Sequence, residues 1–407
     1  MSGDYEFDLF DPKQTQNMWD ELAEMRAKCP VAQPAEGFFY TAKYEDTQRV
    51  FRDARAFSCA GGFRAAGVEI PDDELLMAEM DPPLHPRIRK FVLKSFNPGM
   101  AKNAEDFTRG YARSVWDEVD AAGGGDLVAL VSTRIPLAVT GHVLGLPVED
   151  SAELSARFFA LLHTDWPAYG LKDRTKPGVD EGIAGSAPEL AAYFDEKIRE
   201  RREGRVKSDD LLTQLVEMSV DGEQLSDERI RTLAFNFLGA GLSTTNLISN
   251  LLYRLMTDSS FHAALVNDPE LIPKAIEESL RLEPPVLFLF RTAVTETDLS
   301  GTHISPGDRI VTGIASANRD EAVYDDASEF RLDRSGTPEH LSFGAGPHLC
   351  LGNHLARMEA KVALEEYLRR YSFGQIQLAP DFHFELMPHY LEYGPESLNV
   401  VTSAGKP

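Results

Sequence analysis

Phe343-Gly344-Ala345-Gly346-Pro347-His348-Leu349-Cys350-Leu351-Gly352 is the stretch on which the reading of this chain turns. A cysteine sits in a turn built from glycines and a proline, and the apolar, helix-forming run Asn353–Tyr371 follows at once. Glycines let a backbone turn tightly and approach a flat ligand closely. A thiol at the start of a helix has its thiolate favoured by the helix dipole and by free N–H groups. A thiolate held in this way suits a haem iron, which takes it as a strongly electron-donating axial ligand. A buried structural cysteine in a Gly-rich turn is the other reading of the same residue.

The chain around this loop has 407 residues, 43% hydrophobic and 26% charged, enough for a large core. No composition break or Ser/Gly/Pro-rich linker divides it, so one large domain over residues 1–407 is expected. Cys29, Cys59 and Cys350 are far apart and lack a C-x-x-C spacing, which argues against a disulfide framework or a zinc site and fits a reducing cytoplasm. Met1–Asp11 is acidic without an apolar centre, and so reads as neither signal peptide nor membrane anchor. A formal net charge of −24 argues against nucleic acid and against anionic membrane surfaces. A soluble cytoplasmic monomer is expected.

The pattern is mainly α with small β-sheets. Helices are expected over Gln14–Lys28, Glu45–Asp53, Pro86–Phe96, Asn103–Ala122, Ser132–Gly145, Asp150–Thr164, Ala187–Arg202, Asp209–Val216 and Pro269–Leu282. The turn Ser305-Pro306-Gly307-Asp308 suggests a hairpin between His303-Ile304 and Arg309–Thr312. One long helix is expected from Ser226 to about Asp258, with Ser226 as N-cap, Asp227 and Glu228 in its first turn, and a Leu225/Ile230 staple. In its middle lies Gly239-Ala240-Gly241-Leu242-Ser243-Thr244-Thr245. Interior glycines cost about 1 kcal/mol each relative to alanine, so something must approach this helix closely, either another helix or a ligand.

Three further patterns complete the constellation. Glu278-Ser279-Leu280-Arg281 sets a carboxylate and a guanidinium three apart on one helical face. His85 and Arg89 stand at i, i+4 after Asp81-Pro82-Pro83, two cationic side chains facing one way. Arg291 follows in Phe290-Arg291-Thr292-Ala293, and His348 lies in the cysteine loop.

With these residues in view, the chain resembles the cytochrome P450 family. Its loop matches Phe-Gly-x-Gly-x-His/Arg-x-Cys-x-Gly at every fixed position, and the Glu-x-x-Arg helix and the meander Phe330–Arg334 precede it in the family's order. The similarity runs from about Phe39 to Val401 and is to soluble bacterial members. It implies a helical prism enclosing heme b, with the Cys350 thiolate as axial metal ligand and Phe343 and Ala240 against the ring. It implies propionate contacts from His85, Arg89, Arg291 and His348, and a structural network of Glu278, Arg281 and Arg334. It also implies a monooxygenase that inserts one atom of O2 into a C–H bond. Electrons would come from NAD(P)H through a reductase and an iron–sulfur ferredoxin docked on Arg87, Lys90, Lys94, Arg357 and Lys361. Thr244 is then the catalytic hydroxyl near bound dioxygen, assisted by Ser243.

Ser243 is a departure, since the family usually carries Asp or Glu there for proton delivery. Either water and Thr244 suffice, or another acid reaches the site, or coupling of oxygen use to product is poor. The last leaves open a peroxide-driven or ligand-binding haem protein. By position, the substrate pocket is lined by the loop with Leu75, Leu76 and Met77, by Asn236, and by Leu287, Phe288 and Leu289. Phe158, Phe159 and Leu162 form a candidate roof, and Arg64 a candidate carboxylate partner. An apolar pocket with one polar handle suggests a small terpenoid or aromatic substrate.

Overall fold

The computed structural model describes residues 18–402 except 36, 61, 63–70, 163–186, 221, 337 and 388–390, and the side chains of 158–162 are not described either. Arg64 and the Phe158, Phe159, Leu162 roof lie outside the described residues or side chains.

Helices dominate, as the sequence pattern requires. The core stacks Pro98–Ala122, Leu242–Thr257, Ile272–Leu282 and Asn353–Arg370 around Trp116, Leu251, Leu280, Leu364 and Tyr367. Trp116 meets Tyr367 and Tyr371 edge-on, with ring centroids 5.8 and 5.6 Å apart, the arrangement the ring quadrupole favours. A second cluster, with Met80, Phe194, Leu212 and Leu238, joins Pro188–Arg202 and Leu211–Glu217 to Asp227–Ala240.

Small sheets sit at the margins. One has five strands in the order Val31–Ala35, Phe38–Thr41, Arg309–Thr312, Leu289–Ala293, Phe57–Ser58. Another joins Ile376–Leu378, Asn399–Thr402 and Gly124–Asp126. The expected hairpin at Ser305–Asp308 does not form. Thr302–Ile304 pairs backwards with Thr297–Leu299, while Arg309–Thr312 pairs with Phe38–Thr41 and Leu289–Ala293. The turn is real, with Asp308 N–H reaching the Ser305 carbonyl at 3.1 Å. However, Gly307 N–H bonds the Ala293 carbonyl, so the turn steers the chain from a ribbon into the larger sheet.

The long helix is two. Ser226 caps Asp227–Ala240 by accepting from Arg229 N–H at 3.1 Å, and Leu225 and Ile230 are both buried as a staple requires. The regular bonding then stops: Gly241 N–H reaches Leu238 at 3.2 Å, one residue short of the α-helical partner, and Leu242–Thr257 restarts beyond it. A Cβ at Gly241 would meet Thr140 Oγ1 at 3.1 Å, so this glycine admits the neighbouring helix Arg134–Leu144. Helix packing therefore accounts for Gly241 on one side, while Gly239, Ala240 and Gly241 all line a cavity.

The Glu278 network forms as expected. Glu278 accepts from Arg281 Nε at 2.9 Å and Nη2 at 2.8 Å, from Arg334 Nε at 2.8 Å and from Arg331 N–H at 2.9 Å. Arg281 also donates to the carbonyls of Asn318, Ala327 and Glu329, which ties the meander to the helical core.

Candidate functional site

A cavity of about 440 Å³ lies between the cysteine loop and the break in the long helix. Its floor is the loop Leu341–Gly352. Cys350 N–H closes that loop on the Phe343 carbonyl at 2.9 Å. Gly346 has φ +70, and a Cβ there would lie 2.9 Å from the backbone of Phe51 and Arg52, so no larger residue lets the loop pack on this helix. Arg357 lies 4.4 Å over the Phe343 ring and fixes it against the cavity. Cys350 is exposed, and the space it faces is this cavity. Enclosure pushes its thiol pKa up. The N–H groups of Gly352 and Asn353 and the charges of Arg89 and Arg357 oppose that and favour the thiolate.

Of the four cationic candidates Arg89, Arg291 and His348 line the cavity, and His85 reaches it through His348. The His85 and His348 rings stack with centroids 3.8 Å apart. Burial, and then the neighbouring positive charge of Arg89, lowers the His85 pKa to about 4; burial and the His85 ring lower that of His348 to about 3. In the protein alone burial therefore favours the neutral form of both rings, which still offer N–H donors beside the charge of Arg89. Arg89 donates to the Leu349 carbonyl at 2.5 Å. Arg291 is only 6% exposed, lies 5.4 Å over the Phe51 ring and donates to the Phe290 carbonyl at 2.6 Å. Among the described residues it makes no ion pair, and burial holds its pKa below the usual arginine range.

Ala240, Ser243 and Thr244 line the same cavity. Two buried acids that the sequence reading missed reach these hydroxyls. The Thr244 hydroxyl is hydrogen-bonded to Glu359, whose pKa burial raises to about 8. Glu392 Oε1 accepts from Ser243 Oγ at 3.4 Å, and its Oε2 accepts from Asn246 Nδ2 at 2.9 Å. Burial raises the Glu392 pKa to about 7, partly offset by those two bonds.

The remaining wall is apolar, with Leu76, Met77, Ala78, Phe235, Val286, Leu289 and Leu391 among its residues. Three expected substrate residues do not line it. Leu287 and Phe288 both turn into the cluster of Met18, Leu22 and Tyr40, while Pro285, Val286 and Leu289 line the cavity. Leu75 packs at the edge of the second cluster while its carbonyl accepts from Arg229; the next three residues face the cavity instead. Asn236 lines the cavity, but its Oδ1 accepts from Met77 N–H at 3.2 Å, so it tethers this loop to the helix.

The donor set defines what the cavity can hold. Among the described residues one thiol, that of Cys350, lines the cavity, the buried Arg291 makes no ion pair and has only the more distant charge of Asp81 to offset it, and His85 Nε2 is buried with no hydrogen-bond partner. A flat group with a thiophilic metal and anionic arms satisfies all three; haem is such a group.

Comparison with known proteins agrees. The family profile described as Cytochrome P450 matches residues 15–385. The chain is 35% identical over 372 residues to the erythromycin C-12 hydroxylase of Saccharopolyspora erythraea, covering 90% of each chain. It is 32% identical over 386 residues to the steroid C26-monooxygenase of Mycolicibacterium smegmatis, covering 94% of this chain and 92% of that one. Among solved structures, a mutant of P450 EryK in complex with erythromycin B superposes with a TM-score of 0.84, at 32% identity and 98% coverage of both chains.

Proposed function

The chain belongs to the cytochrome P450 family, and from that premise we propose that it is a single-domain, cytoplasmic, ferredoxin-dependent enzyme that hydroxylates a small, mostly apolar molecule such as a terpenoid or aromatic compound. It is a cytochrome P450 monooxygenase, and haem with a cysteine thiolate ligand is its cofactor. When bound, the haem supplies the oxygen-activating redox chemistry.

The chain's own residues do the rest. Cys350 offers the thiolate; Arg89 and Arg291, with N–H donors from His85 and His348, suit the propionates. Two relatives are by their names an erythromycin C-12 hydroxylase and a steroid C26-monooxygenase. The observation that carries the substrate class is the wall of Leu76, Phe235, Val286, Leu289 and Leu391, interrupted only by a few polar groups. Thr244 lines the cavity with its hydroxyl beside the buried Glu359 carboxyl. Among the described residues no helix is long and apolar enough to cross a membrane.

A compound screen tests the substrate class. Steroids, smaller terpenoids, aromatics and macrolides are added to the haem-loaded protein, and displacement of the iron-bound water is read as a spin-state shift. Terpenoids and aromatics are expected to give the largest shifts. Shifts confined to polar, flexible compounds would refute the assignment.

For electron delivery, Arg87, Lys90 and Lys94 support docking of an acidic ferredoxin beside the exposed Leu93 and Leu349, 42% and 40% exposed. Arg357 and Lys361 leave the expected patch: Arg357 pairs with Glu277 at 2.6 Å, and Lys361 with Glu105 at 3.4 Å. Reversing Lys90 and Lys94 to Glu should slow electron transfer and weaken its salt dependence. Equal rates at low ionic strength would remove this docking face.

A further inference from the structure

We propose that Glu392 holds the proton that the family's usual acid would hold beside Thr244, and releases it through the Ser243 hydroxyl. This inference rests on the monooxygenase reading and deepens it. Ser243 occupies the position of the missing acid, and the acid that reaches it comes from a different element, 149 residues along the chain. The segment carrying Glu392 is pinned in place by a backbone bridge from Glu392 to Val286, by Tyr393 N–H to the Pro285 carbonyl and by Asn250 Nδ2 to the Tyr393 carbonyl.

The surroundings select a proton carrier over a structural anion. A buried carboxylate normally needs a cationic partner. Glu392 makes no ion pair among the described residues; what faces it are a hydroxyl and an amide, from Ser243 and Asn246. Arg319 and Glu283 act on the adjacent Tyr393, and Arg254 pairs with Glu283 at 2.6 Å. Glu359 serves Thr244. With no cation to hold it ionised, Glu392 carries a proton near neutral pH. Both Glu392 and Ser243 line the cavity, so a proton leaving Oε1 enters it through Ser243 Oγ, and cavity water returns one to the carboxylate.

The proton balance defines the readout. Reduction of O2 to hydrogen peroxide takes two electrons and two protons; reduction to two waters takes four of each. Electrons come from NADPH through a ferredoxin and its reductase. A well-placed acid favours the water route, so the peroxide-to-water ratio of the haem-loaded protein reports on proton delivery without needing a known substrate.

Glu392→Gln is the informative variant, because a glutamine keeps an acceptor for Asn246 and a partner for Ser243 but holds no transferable proton. It should raise the peroxide-to-water ratio on the order of 10²-fold at mildly acidic pH, the lower end of general-acid assistance. In the wild type the water route should decline as pH rises through neutrality and Glu392 ionises; in Glu392→Gln that pH step should vanish. Infrared titration should show a protonated-carboxyl band lost over the same pH range and missing from the variant. Adding Ser243→Asp to Glu392→Gln should return the ratio towards the wild type, which a merely structural role for Glu392 would not predict. A wild type that makes only peroxide, or a Glu392→Gln variant that keeps both the ratio and its pH step, would overturn the proposal. Absence of any NADPH-driven oxygen consumption in wild type would instead strike the monooxygenase reading itself.

Discussion

Arg291 should act with opposite sign on the empty and the haem-loaded protein. In the chain alone its guanidinium is 6% exposed and makes no ion pair among the described residues, with the Phe290 carbonyl and the Phe51 face as its partners. Removing a charge from water costs several kcal/mol unless it is paired, and the lowered pKa of Arg291 is the mark of that cost. Arg291→Met keeps the length and the packing over Phe51 and removes the charge. The haem-free protein should therefore be as stable as wild type or more so in urea. Haem retention should move the other way. A hydrogen bond to a charged partner contributes about 1.5–3 kcal/mol, and each 1.4 kcal/mol is about tenfold in an equilibrium constant. The variant should lose haem to an acceptor globin about 10–150-fold faster. An unchanged transfer rate would refute the role of Arg291 as a propionate partner. A variant that destabilised the haem-free chain by several kcal/mol without changing haem loss would refute the whole line of reasoning.

Cys350→Ala should abolish the red-shifted Soret band of the reduced, carbon monoxide-bound protein, while Cys29→Ala and Cys59→Ala should keep it; retention of the band by Cys350→Ala would exclude it as ligand. Glu278→Ala should cost about 3–5 kcal/mol in urea, since it strands the buried guanidinium of Arg281 and the largely buried one of Arg334, and an unchanged midpoint would contradict that. Thr244→Ala should raise hydrogen peroxide release with little change in spin-state titrations, and equal peroxide yields would remove Thr244 from proton delivery. Glu359 has a folded pKa raised to about 8, so the folded state binds the extra proton between its unfolded value and there. Its contribution to stability is full below the unfolded carboxylate range and is lost as pH rises through about 8. Glu359→Gln should flatten the decline between the unfolded carboxylate range and about pH 8, and a decline of equal slope in the variant would locate its origin elsewhere.

The cysteine loop and the helical architecture were legible because their signals are local. Gly346 is needed where a Cβ would strike Phe51 and Arg52, and Cys350 needs the helix start that follows it. The spacing of Glu278 and Arg281 also sufficed to place an ion pair, although not to show that three carbonyls from the meander complete it. Where the signal was composition alone, the reading slipped. Pro285–Leu289 is apolar throughout, so nothing in it distinguishes Val286 and Leu289, which face the cavity, from Leu287 and Phe288, which face the sheet side. Arg357 and Lys361 looked like free surface charge because their partners, Glu277 and Glu105, lie on other helices.

The two buried acids mark the boundary most sharply. Glu359 sits one turn beyond Leu355 on the helix Asn353–Arg370, among Met358, Ala360 and Val362, so a charged residue at a buried position could have been noticed from helical periodicity. Glu392 offered no such handle. Its segment has no helical or alternating pattern, and its burial arises from the bridge to Val286 and the bonds to Ser243 and Asn246. The sequence leaves open that another acid reaches Ser243, but not which one: Glu392 lies on a strand-like segment that only the folded chain brings to that hydroxyl.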